Sequence, residues 1–308
     1  MIILPIACLE AVYYSVPMYL DLLINPVFAG IYALLIGSFL SVCIFRIPFG
    51  RPKGLASLEM EENEIEDNLK TSSEKINIFF PRRSFCPKCQ EQLRWWHNVP
   101  LFSWLIQRGR CAYCKTKIPA RYPIVEAMSL AFALLCYYRF DGWTALIIYF
   151  FCCALIVISF IDIDYYIIPN VISFPGMAIG FTLAVVNQFF GIFSLPLAPD
   201  ILTSLLGLAV GGGFLFLISE LYFRIRKKVG LGFGDVKLMA MVGLFFGPQH
   251  VIQAIFLGSF AGSILGVAMI LFSKKGSQHP LPFGPYLALG TVLTIFTKHN
   301  LMSFLVIG

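Results

Sequence analysis

Charge is scarce in this sequence. Only 13% of its 308 residues are Asp, Glu, Lys or Arg, about half the roughly 25% of an ordinary soluble domain. A typical soluble enzyme is therefore excluded. The 58% of hydrophobic residues and the mean hydropathy of +0.79 indicate a multi-pass membrane protein. The first residues also lack the basic start of a cleavable signal peptide, so we expect none.

Several familiar site patterns are missing as well. The four histidines are scattered, which excludes a histidine metal centre or a catalytic triad built on their spacing. The glycines between Gly230 and Gly234 weakly resemble a dinucleotide fingerprint, but no strand precedes them and no βαβ context surrounds them. No internal repeat is apparent, and we expect no nucleic-acid partner.

Apolar stretches dominate what is present. A bilayer crossing needs roughly 20 apolar residues, and stretches near that length occur eight times, give or take one. We therefore predict an essentially all-α polytopic membrane protein with about eight transmembrane helices. The predicted spans are 24–45, 122–140, 143–161, 170–192, 201–223, 236–249, 250–272 and 283–306.

Basic residues fall in alternate loops between these stretches. Of the 23 Lys and Arg, 14 lie between Arg46 and Arg121 and five between Arg224 and Lys237. The positive-inside rule places these loops in the cytoplasm and the N-terminus outside. By the same alternation the loop 162–169 is cytoplasmic.

Composition divides the chain into four predicted domains. Residues 1–50 hold the N-terminal region and the first span, and residues 51–80 are an acidic insert with too few apolar residues to bury much surface. Residues 81–121 form a small cytoplasmic module that is too small to fold on an apolar core alone. Residues 122–308 hold the remaining spans.

Four cysteines in the module 81–121 form two C-x-x-C pairs. Cys86 and Cys89 are separated from Cys111 and Cys114 by 21 residues, one more than the usual zinc-ribbon interval. Four thiolates suit tetrahedral Zn²⁺, and a site closed by four protein ligands is structural. The alternatives are four free thiols or two disulfides, and the reducing cytoplasm disfavours disulfides. We expect the other cysteines to be small core residues: Cys8, Cys43, Cys136, Cys152 and Cys153.

Two carboxylates lie at the ends of apolar stretches. Asp162 ends one stretch, and Asp235 follows Gly232 and Gly234 at the start of another. A charge at the centre of a membrane helix costs roughly 2.5 to 3.5 kcal/mol on insertion scales, so such residues usually have a function. Asp164 is two residues from Asp162 and points elsewhere on a helix, so we expect only one of them to face Asp235. The alternative role for Asp235 is an ordinary helix N-cap.

Paired aspartates at one membrane face are typical of an aspartyl protease. Like-charge repulsion keeps one carboxyl ionised as a base and the other protonated as an acid, so the pair can activate a water for hydrolysis. Asp235 at a helix N-terminus is expected to be the anion, and Asp162 at a helix C-terminus the neutral acid.

Three further charged residues adjoin the predicted spans. Glu126 and Glu220 are expected to form hydrogen bonds between helices or to reach the headgroups, and a contact with the catalytic pair or the substrate is the alternative. Lys237 is expected either to neutralise Asp235 or to anchor in the headgroups.

Short motifs follow one another in a fixed order along the chain. The first span ends with Gly37-Ser38-Phe39-Leu40 and Arg46-Ile47-Pro48. The module holds Ser84-Phe85-Cys86-Pro87-Lys88-Cys89, Trp96-His97-Asn98-Val99-Pro100-Leu101, Arg108-Gly109-Arg110-Cys111 and Arg121-Tyr122-Pro123-Ile124-Val125-Glu126. The later spans hold Ile161-Asp162, Ile168-Pro169-Asn170, Gly232-Phe233-Gly234-Asp235-Val236-Lys237-Leu238 and Pro282-Phe283-Gly284-Pro285. Together they resemble the bacterial type IV prepilin peptidases, GxGD-type membrane aspartyl proteases that also serve type II secretion.

The resemblance implies a two-step enzyme of the inner membrane whose active site faces the cytoplasm. Members cut the basic leader from prepilins and pseudopilins at a Gly–Phe junction, and many then methylate the new N-terminus from S-adenosylmethionine. Carried over, Asp162 and Asp235 are the catalytic pair, and the four cysteines match the zinc-bearing members. The insert 51–80 departs from the family pattern. A transporter, or a scaffold that displays a zinc module, is the alternative function. The oligomeric state is not predicted.

Overall fold

The computed structural model describes residues 25–51, 54, 84–86, 88–198, 200–227, 232–272 and 281–297. Nearly all of the predicted insert 51–80 lies outside these residues. So do the segment 1–20, Cys8, Gly230, His279 and His299.

Helices form almost all of the regular structure in this part of the chain. A 3₁₀ turn at Trp95–Asn98 and two isolated antiparallel bridges are the other regular features. The helices are α1 Pro26–Arg46, α2 Phe102–Ile106, α3 Arg121–Arg139, α4 Gly142–Tyr165, α5 Asn170–Phe190, α6 Ile201–Arg226, α7 Phe233–Phe246, α8 Pro248–Phe272 and α9 Gly284–Phe296.

Five of these helices are long and apolar enough to cross a membrane: α1, α4, α5, α6 and α8. α9 is a shorter apolar helix of 13 residues. The prediction of an all-α polytopic membrane protein is thereby confirmed for the described residues. The count of eight spans, which also needs α3 and α7, stays a prediction.

Several predicted helix boundaries differ from the observed ones by three or four residues, and the boundary between α7 and α8 is one of them. The stretch 236–249 was expected to be a span, but α7 ends at Phe246 and α8 begins at Pro248. Gly247 separates them with a positive φ of 80°, a conformation that favours glycine. Proline is well suited to the first position of the next helix, because its missing N–H has no partner there in any case.

The described residues divide into two compact units. The first comprises those within Met1–Val42 and Pro81–Cys153, and the second comprises those within Cys43–Phe80 and Ala154–Gly308. In the second unit α7 packs against α5, α6, α8 and α9. Every residue from Leu238 to Phe246 is buried, so the 14-residue α7 is enclosed largely by protein.

Close helix contacts in the second unit depend on glycine. A Cβ on Gly207 in α6 would collide with the backbone of Gly243 in α7, and a Cβ on Gly290 in α9 would collide with the backbone of Ala254 in α8. Small residues of this kind let membrane helices approach closely. These glycines therefore serve helix packing, whereas nothing lies within 4 Å of the position that a Cβ would take on Gly213.

Candidate functional site: an aspartate pair and a cysteine cluster

Asp162 lies in the last turn of α4 and is only 5% exposed. Its Oδ2 accepts a hydrogen bond of 2.9 Å from the backbone N–H of Gly284, the first residue of α9. The carboxylate therefore lies at the N-terminus of α9 as well as at the C-terminus of its own helix. Asp162 was expected near a helix C-terminus, whereas its contact with the second helix end was not predicted.

The absence of a side chain at Gly284 makes this contact possible. A Cβ added there would lie 2.8 Å from Asp162 Oδ2 and 3.4 Å from Ile168 Cδ1. Separations under 3.0 Å require something to shift. The motif Pro282-Phe283-Gly284-Pro285 is visible in the sequence, but it does not predict this role for Gly284.

Asp235 is the third residue of α7 and is 8% exposed. The N-cap position belongs to Gly232, which has no side chain to cap the helix, so the N-cap alternative for Asp235 is wrong. A Cβ on Gly232 would lie 3.2 Å from Asp235 Oδ2. The glycines of this motif thus leave room around a buried carboxylate.

Ile168 connects the surroundings of the two acids. Its side chain is buried and packs 3.0 Å from the position a Cβ would take on Gly234, next to Asp235. The same side chain packs against Gly284, next to Asp162. The charge of Asp162 also acts on the Asp235 carboxyl. The structure therefore places both acids in one unit around a shared apolar residue.

Asp164 has different surroundings from Asp162. It is half-buried, and its backbone carbonyl accepts a 2.8 Å hydrogen bond from the N–H of Gly54. Asp162 is the more deeply buried of the two, and its carboxylate contacts α9. This difference agrees with the expectation that only one of the pair faces Asp235.

Lys237 connects the start of α7 to the start of α5. Its Nζ donates a 2.7 Å hydrogen bond to Asn170 Oδ1 and lies 4.6 Å from the ring centroid of Phe233 and 5.4 Å from that of Phe174. Among the described residues it forms no ion pair with Asp235. Neutralisation of Asp235 by direct pairing is therefore wrong, and the bond to Asn170 was not predicted.

Glu126 is a buried acid in the first unit. Its Oε2 accepts a 2.7 Å hydrogen bond from the backbone N–H of Leu101, and the Ser38 hydroxyl also bonds to its carboxyl. A Cβ on Gly37 would lie 2.8 Å from the Glu126 Cα, so α1 and α3 are in close contact here. The expected hydrogen-bonding role of Glu126 is confirmed. Glu220, by contrast, is half-buried and pairs with Arg224.

The four module cysteines come together at two similar turns. In one turn the N–H of Gln90 bonds to the carbonyl of Cys86, and in the other the N–H of Lys115 bonds to the carbonyl of Cys111. The four sulfur atoms, from Cys86, Cys89, Cys111 and Cys114, all lie within 4.8 Å of one another, and all four cysteines are free. The disulfide alternative is therefore not supported.

This sulfur arrangement fits a tetrahedral metal site. A Zn–S distance near 2.3 Å gives a tetrahedron whose edges are about 3.8 Å, and Cys86 Sγ lies 3.8 Å from Cys114 Sγ. Burial raises the pKa of the Cys86 thiol, but hydrogen bonds from the backbone of Cys89 and Lys88 outweigh it and lower the pKa to about 7. At Cys86 this favours the thiolate that a metal requires. At Cys89 a hydrogen bond from the backbone of Glu91 lowers the pKa, but desolvation and the neighbouring thiols of Cys86 and Cys114 outweigh it and raise the pKa to about 11.

Comparison with known proteins gives matches along most of the chain. A family model described as the bacterial peptidase A24 N-terminal domain matches residues 31–140, which contain the cysteine cluster. A second, described as the type IV leader peptidase family, matches residues 149–267, which contain both Asp162 and Asp235. No solved structure matches.

Three relatives show the extent of the similarity, and each is named a prepilin leader peptidase/N-methyltransferase. The protein from Stutzerimonas stutzeri is 35% identical over 90% of this chain and 92% of its own length. The protein from Pseudomonas aeruginosa is 34% identical over 83% of this chain and 84% of its own length. The protein from Xanthomonas campestris pv. campestris is 31% identical over 90% of this chain and 93% of its own length. The chain therefore belongs to the type IV leader peptidase family.

Proposed function

We propose that the protein removes the leader peptide of type IV prepilins and type II secretion pseudopilins and then N-methylates the new N-terminus. The observation that carries this proposal is the pair of buried carboxylates, Asp162 and Asp235, in a chain whose relatives are named for both activities. Their placement at helix ends around Ile168 supports a site at a membrane face.

Hydrolysis by this pair needs no covalent intermediate. The ionised carboxyl takes a proton from a water molecule, whose oxygen attacks the scissile carbonyl carbon of the leader peptide. The protonated carboxyl donates its proton as the C–N bond breaks, and the pilin leaves with a free N-terminal amine. Two coupled acids share one proton, so the pKa values belong to the pair.

The helix ends do not decide which of the two carboxyls is the base and which is the acid. The Gly284 N–H at the start of α9 stabilises an ionised Asp162, and the start of α7 stabilises an ionised Asp235. Both groups are therefore suited to the base role. We assign the pair jointly and leave each carboxyl free to exchange roles during the reaction.

The site is proposed to face the cytoplasm in a protein with eight spans of the inner membrane. The basic residues around Asp235 support this orientation, and the alternation of loops assigns the loop 162–169, which begins at Asp162, to the same face. A transporter would place its acids near the bilayer midplane, whereas both of these lie in the terminal turns of helices. Prepilins and the surrounding bilayer are the proposed partners.

The proposal includes a structural zinc ion and the methyl donor S-adenosylmethionine. Cys86, Cys89, Cys111 and Cys114 would hold Zn²⁺ as a structural centre of the module, with no open position for chemistry. S-adenosylmethionine would supply the methyl group for the pilin amine. No described contact identifies its pocket, and the module with nearby Glu126 is where we propose to find it.

Cleavage of a purified prepilin in detergent tests the proposed function. We expect the parent and the Asp164→Asn variant to release the leader, and the Asp162→Asn and Asp235→Asn variants to lose cleavage by several orders of magnitude. The matched control is Asp164→Asn, because it removes a carboxylate two residues from Asp162. Full cleavage by either of the other variants would contradict the two-aspartate mechanism.

A further inference from the structure

Five large apolar side chains are exposed on one segment of the cysteine module. Ile106 is 80% exposed and Trp95 is 76% exposed. Trp96, Phe102 and Leu105 are also exposed. An apolar patch of this kind on a small polar module marks a surface that another apolar phase covers. We call residues 95–106 the aromatic segment.

Internal contacts fix the aromatic segment, so its exposed face is a defined surface. The indole N–H of Trp104 donates to the carbonyl of Ile118 at 3.3 Å, and the Trp104 ring packs against Gly109. The N–H of Ser103 bonds to the carbonyl of Val99 at 3.0 Å. Trp104 thus holds the segment to the module, while its neighbours Phe102, Leu105 and Ile106 remain outside.

A hydrogen bond to the buried Glu126 fixes the position of this segment along the axis of α3. Leu101 donates to Glu126, and Glu126 lies five residues beyond Arg121, where α3 begins. At a rise of 1.5 Å per residue this is roughly 7.5 Å along the helix axis. Interfacial apolar groups enter a bilayer by about 5–10 Å. A segment tied to Glu126 therefore lies at the depth of the headgroup and acyl boundary if α3 enters the membrane at its first turn.

The charges around the segment favour an anionic membrane surface. Glu91 is the single acidic residue between residues 84 and 121, against seven basic ones. The guanidinium of Arg94 lies 5.1 Å from the ring of Trp96. Basic side chains beside tryptophan suit the interface of a membrane that contains anionic lipid. The basic residues are Lys88, Arg94, Arg108, Arg110, Lys115, Lys117 and Arg121.

We propose that the aromatic segment is an interfacial membrane anchor that inserts Trp95, Trp96, Phe102, Leu105 and Ile106 into a leaflet rich in anionic phospholipid. This inference rests on the proposed cytoplasmic placement of the module. Ile124, in the first turn of α3, is also exposed, and it lies two residues before Glu126, to which the aromatic segment is hydrogen-bonded. The start of a proposed span therefore also presents an apolar side chain outward, which favours lipid over a protein partner.

Photocrosslinking in nanodiscs of phosphatidylethanolamine and phosphatidylglycerol tests the anchor directly. Ile106 is replaced by a diazirine amino acid in the full chain, and Glu91, exposed on the first cysteine turn, is replaced in the control. We expect several-fold more phospholipid adduct, measured by mass, at position 106 than at position 91. Equal adduct at both positions, or an adduct only to added prepilin or to a second copy of the chain, would overturn the anchor.

A second measurement leaves the aromatic segment unaltered. The chain has four tryptophans, and a Trp143→Phe variant retains only Trp95, Trp96 and Trp104, all in this segment. Phospholipid that is brominated near the headgroup end of its acyl chains should quench the fluorescence of these three tryptophans several-fold. Unquenched fluorescence would contradict the anchor even if the substituted variants failed to fold.

Prepilin cleavage by the protein in the same nanodiscs distinguishes a failure of the anchor from a failure of the proposed peptidase function. Lipid adducts at position 106 without cleavage by the parent would sustain the anchor and count against the proposed peptidase. Cleavage with no lipid adduct would sustain the peptidase and overturn the anchor. Replacing phosphatidylglycerol with phosphatidylcholine should reduce the adduct several-fold, and an unchanged yield would overturn the role of anionic lipid.

Discussion

At the scale of single residues, the Asp162 carboxylate is held by a group 122 positions further along the chain, the backbone N–H of Gly284. Sequence spacing predicted that Asp162 and Asp235 would act together, because acids at the ends of apolar stretches are rare. It could not predict the Gly284 contact, because a backbone donor leaves no signature in side-chain chemistry. The proline that follows, Pro285, was visible, but it indicates a helix start and not a hydrogen-bond partner.

A Gly284→Ala variant should lose peptidase activity while it remains folded. The new methyl group would lie 2.8 Å from Asp162 Oδ2 and would displace the carboxylate. A misplacement of about 1 Å can cost roughly 10²-fold in rate, so we expect kcat/KM for prepilin cleavage to fall by about that factor. Gly213→Ala is the control, because nothing lies within 4 Å of its Cβ position. Equal activity of the two variants would contradict the role of Gly284.

Removal of the Glu126 carboxyl should destabilise the first unit. A Glu126→Leu variant leaves the Leu101 N–H without its acceptor, and an unsatisfied buried donor costs about 1–3 kcal/mol of unfolding free energy. Glu126→Gln keeps an acceptor oxygen and should retain most of the stability. Thermal unfolding in detergent measures both, with Glu220→Ala, whose side chain is 40% exposed, as control. Equal stability of the Leu variant and the parent would show that this bond is not needed.

At the scale of helices and turns, Lys237 and Asn170 form a clamp between α7 and α5. The bond joins residues 67 positions apart. Each residue lies beside a segment of the aspartate site: Lys237 two positions after Asp235, and Asn170 two positions after Ile168. The clamp is therefore expected to set the position of the α7 start relative to the Ile168 turn.

A double-mutant cycle separates this clamp from a simple effect of charge. Lys237→Met removes both the bond and the charge, whereas Asn170→Ala removes the bond alone. If the bond positions Asp235, each variant should lower kcat several-fold with little change in KM, and the double variant should be no worse than Lys237→Met. Asn170→Asp keeps an acceptor and should retain activity. If Asn170→Ala leaves kcat unchanged, the bond between Lys237 and Asn170 does not position Asp235, and Lys237 acts only through its charge.

The cysteine turns should depend on a bound metal. We expect about one Zn²⁺ per chain by elemental analysis, and its removal by a chelator should increase hydrogen exchange in the two turns, because four thiolates without a cation repel one another. A Cys114→Ser variant should lose the metal, whereas Cys43→Ser, in α1, should keep it. Full metal content in the Cys114 variant would contradict the four-cysteine site.

The helices themselves were largely predictable, since apolar length is a property of the local sequence. The predicted span 143–161 corresponds to α4, and 170–192 corresponds to α5. The break between α7 and α8 was also predicted, but between residues 249 and 250, whereas Gly247 separates the two helices. A glycine followed by a proline is a known signal for a helix end and a helix start, and apolar length alone could not give the exact position of the break.

At the scale of the whole molecule, the family and the order of motifs followed from the sequence, whereas the contacts that build the sites did not. Glu126 and Leu101 are 25 positions apart, and their bond depends on a positive φ of 61° at Leu101. Such pairings depend on tertiary packing, which hydrophobic periodicity does not encode. The cysteine pairs were the exception, because metal ligands at fixed spacing carry their own signal.

The mass of the product from a purified prepilin incubated with the protein and S-adenosylmethionine tests the central claim most directly. The account predicts that the parent yields a leader-free pilin carrying one methyl group on its N-terminus, and that Asp162→Asn and Asp235→Asn return intact prepilin. It also predicts that both variants methylate a pilin supplied without its leader. Release of the leader by either variant, or intact prepilin from the parent, would contradict the account.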